Sequence, residues 1–437
     1  MSVDAAMAEP AKIKGWCPGA LRPMQTGDGL IVRVRPRCGA LSISQALALS
    51  EIARRFGNGH IDLTRRANLQ IRGVQADALP GLWAELSDCG LVDDNAEAEA
   101  VRNVMLAPLA GVDPTEMCDV RPVAAALEQE LLTSEALWAL PGKFGFSVDG
   151  GGIASLDDER ADVRLKAMRA PGGVRIAVGI DTVTDVAWMG AVELQSAHVV
   201  AVAVAMEFLA VSEGARRVRM RDLAPGDVDR IRRVVASHGA DPFNAEAPVA
   251  STSAPYLAAD LAGLMVVRGA VVAAGIGAPF GRLEASALSD LGVASRDLGF
   301  AELRLSPWRM MFAPVPNRRC GEAILEAAAA CGLITTPRHP LMSIDACPGA
   351  PACRSGLIET RAIAARLAGM MPLAGISSVH VSGCAKGCSR SASADLVLVG
   401  TPTGVGIIRS GTAASNPCAV VPPGDLARLP SLLQSGS

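Results

Sequence analysis

Aromatic side chains are scarce in this chain, at 3% of 437 residues with a single tyrosine, Tyr256. A groove that stacks nucleic-acid bases on successive rings therefore has little to build with. An excess of one charge is missing as well: 41 Lys and Arg stand against 44 Asp and Glu, for a net charge of −3. That balance makes no electrostatic case for nucleic acid or an anionic membrane. The first sixteen residues lack the apolar core after a basic start that marks a secretory leader. The most apolar run, Val199 to Leu209, is interrupted by Glu207 and is too short to cross a bilayer. A cytoplasmic protein with no nucleic-acid and no membrane partner is expected. No G-x-G-x-x-G follows a strand, so the sequence carries no dinucleotide-binding fingerprint. Histidine is rare too, and His60, His198, His238, His339 and His380 show no pair at a local ligand spacing.

Hydrophobic residues, at 50%, are enough to fill the cores of two to four domains. Eleven cysteines are present, and in a cytosolic chain they read as metal ligands or reduced thiols before disulfides. Four of them form two pairs, Cys347-Pro-Gly-Ala-Pro-Ala-Cys353 and Cys384-Ala-Lys-Gly-Cys388. Pro348 and Pro351 forbid a regular helix through the first pair, and Gly383 and Gly387 loosen the second. Both read as loops whose backbone N–H groups can turn toward an anionic centre. Four thiolates so presented suit a [4Fe–4S] cluster. Zinc is the competing reading, but its cysteine pairs usually enclose two to four residues and the first pair here encloses five. Cys17, Cys38, Cys89, Cys118, Cys320, Cys331 and Cys418 read as single thiols.

Leu30 to Arg35 alternates as a half-buried strand does, and Ser42 or Ser44 can cap a helix running to Phe56. Strands at Ile61 to Thr64 and Asn68 to Arg72 complete a ferredoxin-like unit. Gly39, Leu41, Ser44, Gly57 and Leu63 recur 242 residues on as Gly281, Leu283, Ser286, Gly299 and Leu305. The expected fold is α+β, with two halves related by a pseudo-twofold axis and a ligand cleft at their interface. Each half would be a ferredoxin-like half-domain (15–80 and 259–320) followed by an α/β domain (85–243 and 321–437). The Ala-, Pro- and Ser-rich stretch at 244–258 reads as the linker.

The cysteine spacing resembles the cluster signature of sulfite and nitrite reductases, in which the last cysteine bridges to sirohaem. Leu63-Thr64-Arg65-Arg66-Ala67-Asn68-Leu69-Gln70 resembles their Leu-Thr-x-Arg-Gln-x-x-Gln strand, which places Arg66 on the functional arginine. Val101-Arg102-Asn103-Val104 and Leu140-Pro141-Gly142-Lys143-Phe144 resemble two further elements and add Arg102 and Lys143 as anion contacts. A tetrapyrrole rimmed with carboxylate arms needs such fixed cations. Two departures stand out. Gly145 takes the position of the reductases' second lysine, and Ala67 that of a glutamine. A six-electron reductase needs donors there to protonate a bound oxyanion.

Those departures, with Cys17-Pro-Gly-Ala-Leu-Arg-Pro-Met-Gln-Thr-Gly-Asp-Gly29, Pro279-Phe-Gly-Arg282 and Arg304-Leu-Ser-Pro-Trp-Arg309, resemble the precorrin-3B synthase branch of this superfamily over about Gly15 to Gly406. The resemblance implies a sulfite-reductase-like architecture and a monooxygenase of aerobic cobalamin biosynthesis. Such an enzyme uses O2 and NADH-derived electrons to hydroxylate precorrin-3A at a meso carbon with γ-lactone formation. It also implies a [4Fe–4S] cluster on Cys347, Cys353, Cys384 and Cys388, and substrate contacts at Arg66, Arg102, Lys143 and Arg309. A mononuclear non-haem iron of unassigned ligands is implied too, and sirohaem is not expected. The alternatives are a sirohaem-dependent sulfite or nitrite reductase, and a non-catalytic iron–sulfur or tetrapyrrole-binding protein.

Overall fold

Ser42 ends a three-residue strand and begins a helix with a reciprocal cap. Its hydroxyl accepts from the Gln45 N–H, and the Gln45 side chain accepts from the Ser42 N–H. The helix that follows, Ile43–Phe56, buries Ala46, Leu49, Ile52 and Ala53. The computed structural model describes residues 18–212, 219–241, 258–422 and 424–425. These form two compact units, one of residues 18–25 with 29–339 and one of 26–28 with 340–425. Cys17 and the linker expected at Asn244 to Pro255 lie outside the described residues.

In the first unit the repeat is reproduced in the backbone. One antiparallel sheet runs in the order Met24–Gln25, Leu30–Val34, Leu69–Val74, His60–Leu63, Arg282–Glu284. The second runs Gly263–Val267, Ala270–Gly277, Met310–Pro314, Glu302–Leu305, Ala40–Ser42. The last strand of each sheet comes from the other half. Ala40, Leu41 and Ser42 pair with Arg304, Leu303 and Glu302, while Arg282, Leu283 and Glu284 pair with Asp62, Ile61 and His60. Adding 242 to the first-half member of one pairing and subtracting 242 from its second-half partner gives the other. The flanking bonds obey the same rule, since Ile43 N–H donates to Ala301 O and Ala285 N–H to Gly59 O. The two ferredoxin-like half-domains are therefore interlocked. Helices Ile43–Phe56 and Ala285–Asp297 pack together over one shared core, so closely that a Cβ at Gly292 would lie 2.9 Å from Leu47 Cδ2.

Left-handed residues repeat as well. Cys38 and Gly39 (φ 49° and 65°) correspond to Phe280 and Gly281 (φ 55° and 75°), and Ala67 (φ 51°) to Arg309 (φ 60°). Four strained non-glycine residues would be costly at random places, but these four form two pairs at equivalent turns of the repeat.

The remaining sheet of the first unit runs Val104–Leu106, Phe146–Asp149, Val163–Ala170, Gly173–Asp181, Val186–Val192, with two parallel pairings and then two antiparallel ones. The second unit's sheet has the same sequence of pairings: Ile344–Ala346, Val379–Ser382, Ala394–Thr401, Gly404–Gly411, Ala419–Val421. The α/β domain is thus duplicated too. Helix Ala197–Val211, with the turn before it, makes an apolar run of 18 residues, Leu194–Val211, of mean hydropathy 1.7. This is longer than the sequence reading allowed and reaches membrane-spanning length. Val200, Ala201, Val204, Ala205 and Phe208 are nevertheless buried in the α/β core.

The interlock can be tested through Gly281, where a Cβ would meet Leu63 O at 2.9 Å and Arg309 Cδ at 2.7 Å, against Gly299, where nothing lies within 4 Å. Both have positive φ. Gly299→Ala is expected to cost about 1 kcal/mol from backbone strain alone, and Gly281→Ala distinctly more. The comparison is read from urea unfolding midpoints.

Candidate functional site

Two turns at equivalent places in the repeat form the centre of the candidate site in the first unit. In the turn after His60–Leu63, Thr64 Oγ1 accepts from the N–H groups of Arg66 (3.3 Å) and Asn68 (3.2 Å), which holds Ala67 left-handed. Arg66 then reaches out to donate from Nη2 to Lys143 O at 2.8 Å. The Gly145 N–H is held by Asp162 Oδ2 at 2.9 Å. A Cβ at Gly145 would stand 3.4 Å from Arg66 Nη1 and 3.5 Å from Asn103 O. Arg66, Lys143 and Gly145, separated by nearly eighty residues in the chain, are thus brought together. The Lys143 side chain is exposed.

The matching turn, Ser306 to Met310, repeats the closing bond: Ser306 N–H donates to Met310 O, as Thr64 N–H does to Asn68 O. Arg309 is partly exposed, and its carbonyl accepts from the Ala278 N–H. Trp308 stands at the position equivalent to Arg66 and packs on Met105, Ala107, Leu156 and Ala161. One residue that no motif marked stands beside the first turn. Glu159, 8% exposed, lies 3.6 Å from Arg65 Nη2, and burial pushes its carboxyl up while Arg65 draws it back.

Arg102 is placed differently from the expectation. It is 4% exposed, donates to Asp93 (Nε to Oδ2, 3.0 Å) and to Arg35 O (2.8 Å), and lies 3.5 Å from Glu128. A guanidinium consumed by two buried carboxylates and a carbonyl braces the domain and has no capacity left for a substrate anion. This corrects its reading as an anion contact.

In the second unit the four cysteines sit where the sequence put them, on loops after strands. Cys347 follows Ile344–Ala346 and is buried, Cys384 follows Val379–Ser382, and Cys388 is exposed. Three glycines let the loops touch backbone to backbone: a Cβ at Gly383 would lie 3.0 Å from Gly356 Cα and 3.3 Å from Gly349 Cα. The Gly383 N–H donates to Cys347 Sγ at 3.2 Å, the kind of bond that stabilises a bound thiolate. Although Cys388 is exposed as a residue, its thiol is partly desolvated and is pushed up from its ordinary value by that burial and then by the fields of Cys347, Cys384 and Cys353. Four mutually repelling sulfurs on Gly-cradled loops fit a group that draws off their charge, and a [4Fe–4S] cluster does so with one iron per thiolate. Among the described residues no three His, Cys, Asp or Glu side chains converge on a point where one metal ion could sit. The ligands of the mononuclear iron that the resemblance implies therefore stay unassigned. His380, fully buried, meets Ser389 Oγ at 2.9 Å beside Cys388, a structural hydrogen bond.

If Arg102 is a brace, Arg102→Ala leaves Asp93 and Glu128 buried without their countercharge, and a loss of about 3–5 kcal/mol is expected. Lys143→Ala, at an exposed side chain, should change stability by less than about 0.5 kcal/mol. Thermal unfolding of the two variants separates these roles.

Two family models match the chain. Residues 22–89 match the nitrite/sulfite reductase ferredoxin-like half domain, and residues 97–251 match the nitrite and sulphite reductase 4Fe-4S domain. The latter match covers the first α/β domain, and the cysteine loops lie in the second. A ferredoxin–nitrite reductase of Leptolyngbya laminosa is 26% identical over 426 residues, covering 88% of this chain and 79% of the relative. The structure of the NirA protein of Mycobacterium tuberculosis superposes with a TM-score of 0.73 at 20% identity, over 93% of this chain and 80% of that one, and so shares the fold. A precorrin-3B synthase of Sinorhizobium sp. is 34% identical over 408 residues, covering 93% of this chain and 85% of the relative. With that identity across nearly its whole length, the chain belongs to the precorrin-3B synthase family, within the nitrite and sulfite reductase superfamily.

Proposed function

We propose that the protein hydroxylates precorrin-3A at a meso carbon and closes an acetate arm to a γ-lactone, giving precorrin-3B. One atom of O2 enters the product and the other leaves as water, with two electrons from NADH and two protons. The observation that carries this reading is Gly145 beside Arg66. At the place where a reductase's second lysine would present a proton donor, this chain has a bare backbone held by Asp162. Space replaces the donor, and space is what a large substrate needs.

Arg66, Lys143 and Arg309 serve on this reading as cations for the carboxylate rim, each gaining from a charge-assisted hydrogen bond. Arg66 is pre-oriented by its bond to Lys143 O, so little rotamer freedom is lost on binding. Cys347, Cys353, Cys384 and Cys388 would hold a [4Fe–4S] cluster, which supplies one-electron transfer when bound. Electrons come from a partner reductase, in the cytoplasm. No step is assigned to a mononuclear iron. The second reading, a sirohaem-dependent reductase, is favoured by the likeness to nitrite reductases and opposed by Gly145 and by Ala67, whose buried methyl offers no donor.

Two experiments test the proposal. Serine at any of the four signature cysteines should abolish the visible absorption of the anaerobically purified protein and lower its iron and sulfide, while Cys89→Ser keeps both. Retention of full iron and sulfide by one of the four variants excludes that residue as a ligand. With precorrin-3A, an electron source and 18O2, the lactone product should carry the label, and sulfite and nitrite should not be consumed. Product formed equally well without O2, or sulfite reduced at an enzymatic rate, rules the monooxygenase out.

A further inference from the structure

With Arg102 turned inward as a brace, the next residue of its motif takes up a place in the site. Asn103 is 5% exposed and stands between helix Ala96–Val101 and strand Val104–Leu106. Its Nδ2 donates to Ala100 O at 3.0 Å, to Phe144 O at 3.1 Å and to Gly142 O at 3.4 Å, so two N–H groups are shared among three carbonyls. Its Oδ1 is buried and meets no donor among the described residues. Turning the amide over would set that oxygen against three carbonyl oxygens, so the donating end is the working end.

Gly142 and Phe144 flank Lys143. The amide therefore holds the backbone on both sides of a residue whose own side chain is exposed. The carbonyl of that residue in turn accepts from Arg66 Nη2 at 2.8 Å. One buried side chain thus supports two of the cations in the candidate site. Its own footing is firm: Arg102 beside it is paired with Asp93, and the Asn103 backbone donates to Val101 O at 2.8 Å and accepts from the Phe146 N–H at 2.9 Å. Asp162 secures the other end of the loop, accepting from the Gly145 N–H at 2.9 Å and donating from its own N–H to Gly145 O at 2.8 Å.

We propose that Asn103 is a positioning residue for substrate binding: its amide fixes the 142–144 backbone, and through it the stem of Lys143 and the guanidinium of Arg66. The inference rests on the tetrapyrrole reading above. Two cations set in place beforehand lose less freedom when a carboxylate-edged ligand arrives, and that saving appears as affinity.

The test uses the full-length protein, the lysine-specific protease Lys-C, and uroporphyrin, a stable tetrapyrrole bearing acetate and propionate arms. N103A, N103D and N103S are compared with the parent, and R66A/K143A with N103A/R66A/K143A. The chain has five lysines, so cleavage after Lys143 gives a defined fragment. N103A, and N103D with its acceptor-only carboxylate of similar volume, should be cut there about tenfold faster than the parent, because the loop opens locally. N103S, which keeps one donor, should fall between. N103A and N103D should each raise the uroporphyrin Kd about tenfold, the scale of one lost contact. In the R66A/K143A background the same N103A change should move Kd by less than about twofold, since the cations it positions are gone. A residue that only stabilised the fold would act alike in both backgrounds. Unchanged cleavage after Lys143 in N103A and N103D overturns the pin, and a further tenfold loss of binding in the triple variant overturns the positioning role. If N103A does not fold, N103S and N103S/R66A/K143A decide by the same two readouts. If the parent binds no uroporphyrin, the tetrapyrrole reading fails and the substrate role fails with it, while cleavage after Lys143 still decides whether Asn103 pins the loop.

Discussion

Everything in the first unit depends on the reciprocal strand exchange. Each half donates one three-residue strand to the other half's sheet, and the two registers are related by the same 242-residue offset. Edge strands present unpaired N–H and C=O groups, and closing each sheet with a strand from the other half satisfies them on one side. The exchange also carries charge: Arg282 of the second half donates to Asp62 of the first, which Arg72 also contacts, all at low exposure. Neither half-sheet keeps its fifth strand without the other. The turns at 64–68 and 306–310, which follow the exchanged pairs directly, are thereby fixed against each other at no further cost.

A pseudo-twofold frame would by itself give a symmetric cleft, and chemistry on one substrate needs asymmetry. The chain breaks the symmetry at side chains while keeping the backbone. Ala67 and Arg309 share a left-handed conformation, so the second turn carries a guanidinium where the first has a methyl. Arg66 and Trp308 invert the pattern, with the cation in the first turn and the ring in the second. Left-handed non-glycine residues cost roughly 1–2 kcal/mol each, and keeping that strain at both turns argues that their backbone shape is under constraint. The identity of the side chains is then the variable through which one branch of the superfamily differs from another.

Much of this was legible in the residues. The repeat could be read because Gly39 and Gly281 recur at a fixed offset, each at positive φ, and Ser42 announced its helix by a capping pattern. The cysteine loops were legible because proline and glycine exclude helix there. The strand exchange was not, since pairing between distant segments leaves no mark on local periodicity; Ala40 to Ser42 reads equally well as an edge of its own half. Val163–Ala170 does alternate, with Val163, Leu165 and Ala167 buried against Arg164 and Lys166, but those charged residues are buried as well by Asp181 and Asp157. Alternation of apolar and charged residues therefore does not mark a solvent face in this strand. Arg102 misleads in the same way. Its motif is intact, yet Asp93 and Glu128, which consume it, lie nine residues before and twenty-six after. Glu159 carries no motif at all, and only the fold brings it to Arg65.

The loss of Arg102 from the anion set bears on the proposed chemistry. A prosthetic group is best held by every cation available, because it never leaves. A substrate held that tightly gains nothing in turnover, since binding shared equally by ground and transition states lowers KM without raising kcat. In this chain Arg102 is neutralised by Asp93 and Glu128, and the residue at the second lysine position of the reductase motif is Gly145. Each leaves one fixed charge fewer to grip a polyanion, while the exposed Lys143 and the partly exposed Arg309 remain. On the proposed reading, a tetrapyrrole site with fewer fixed charges can release what it binds, which a substrate pocket requires and a cofactor pocket does not.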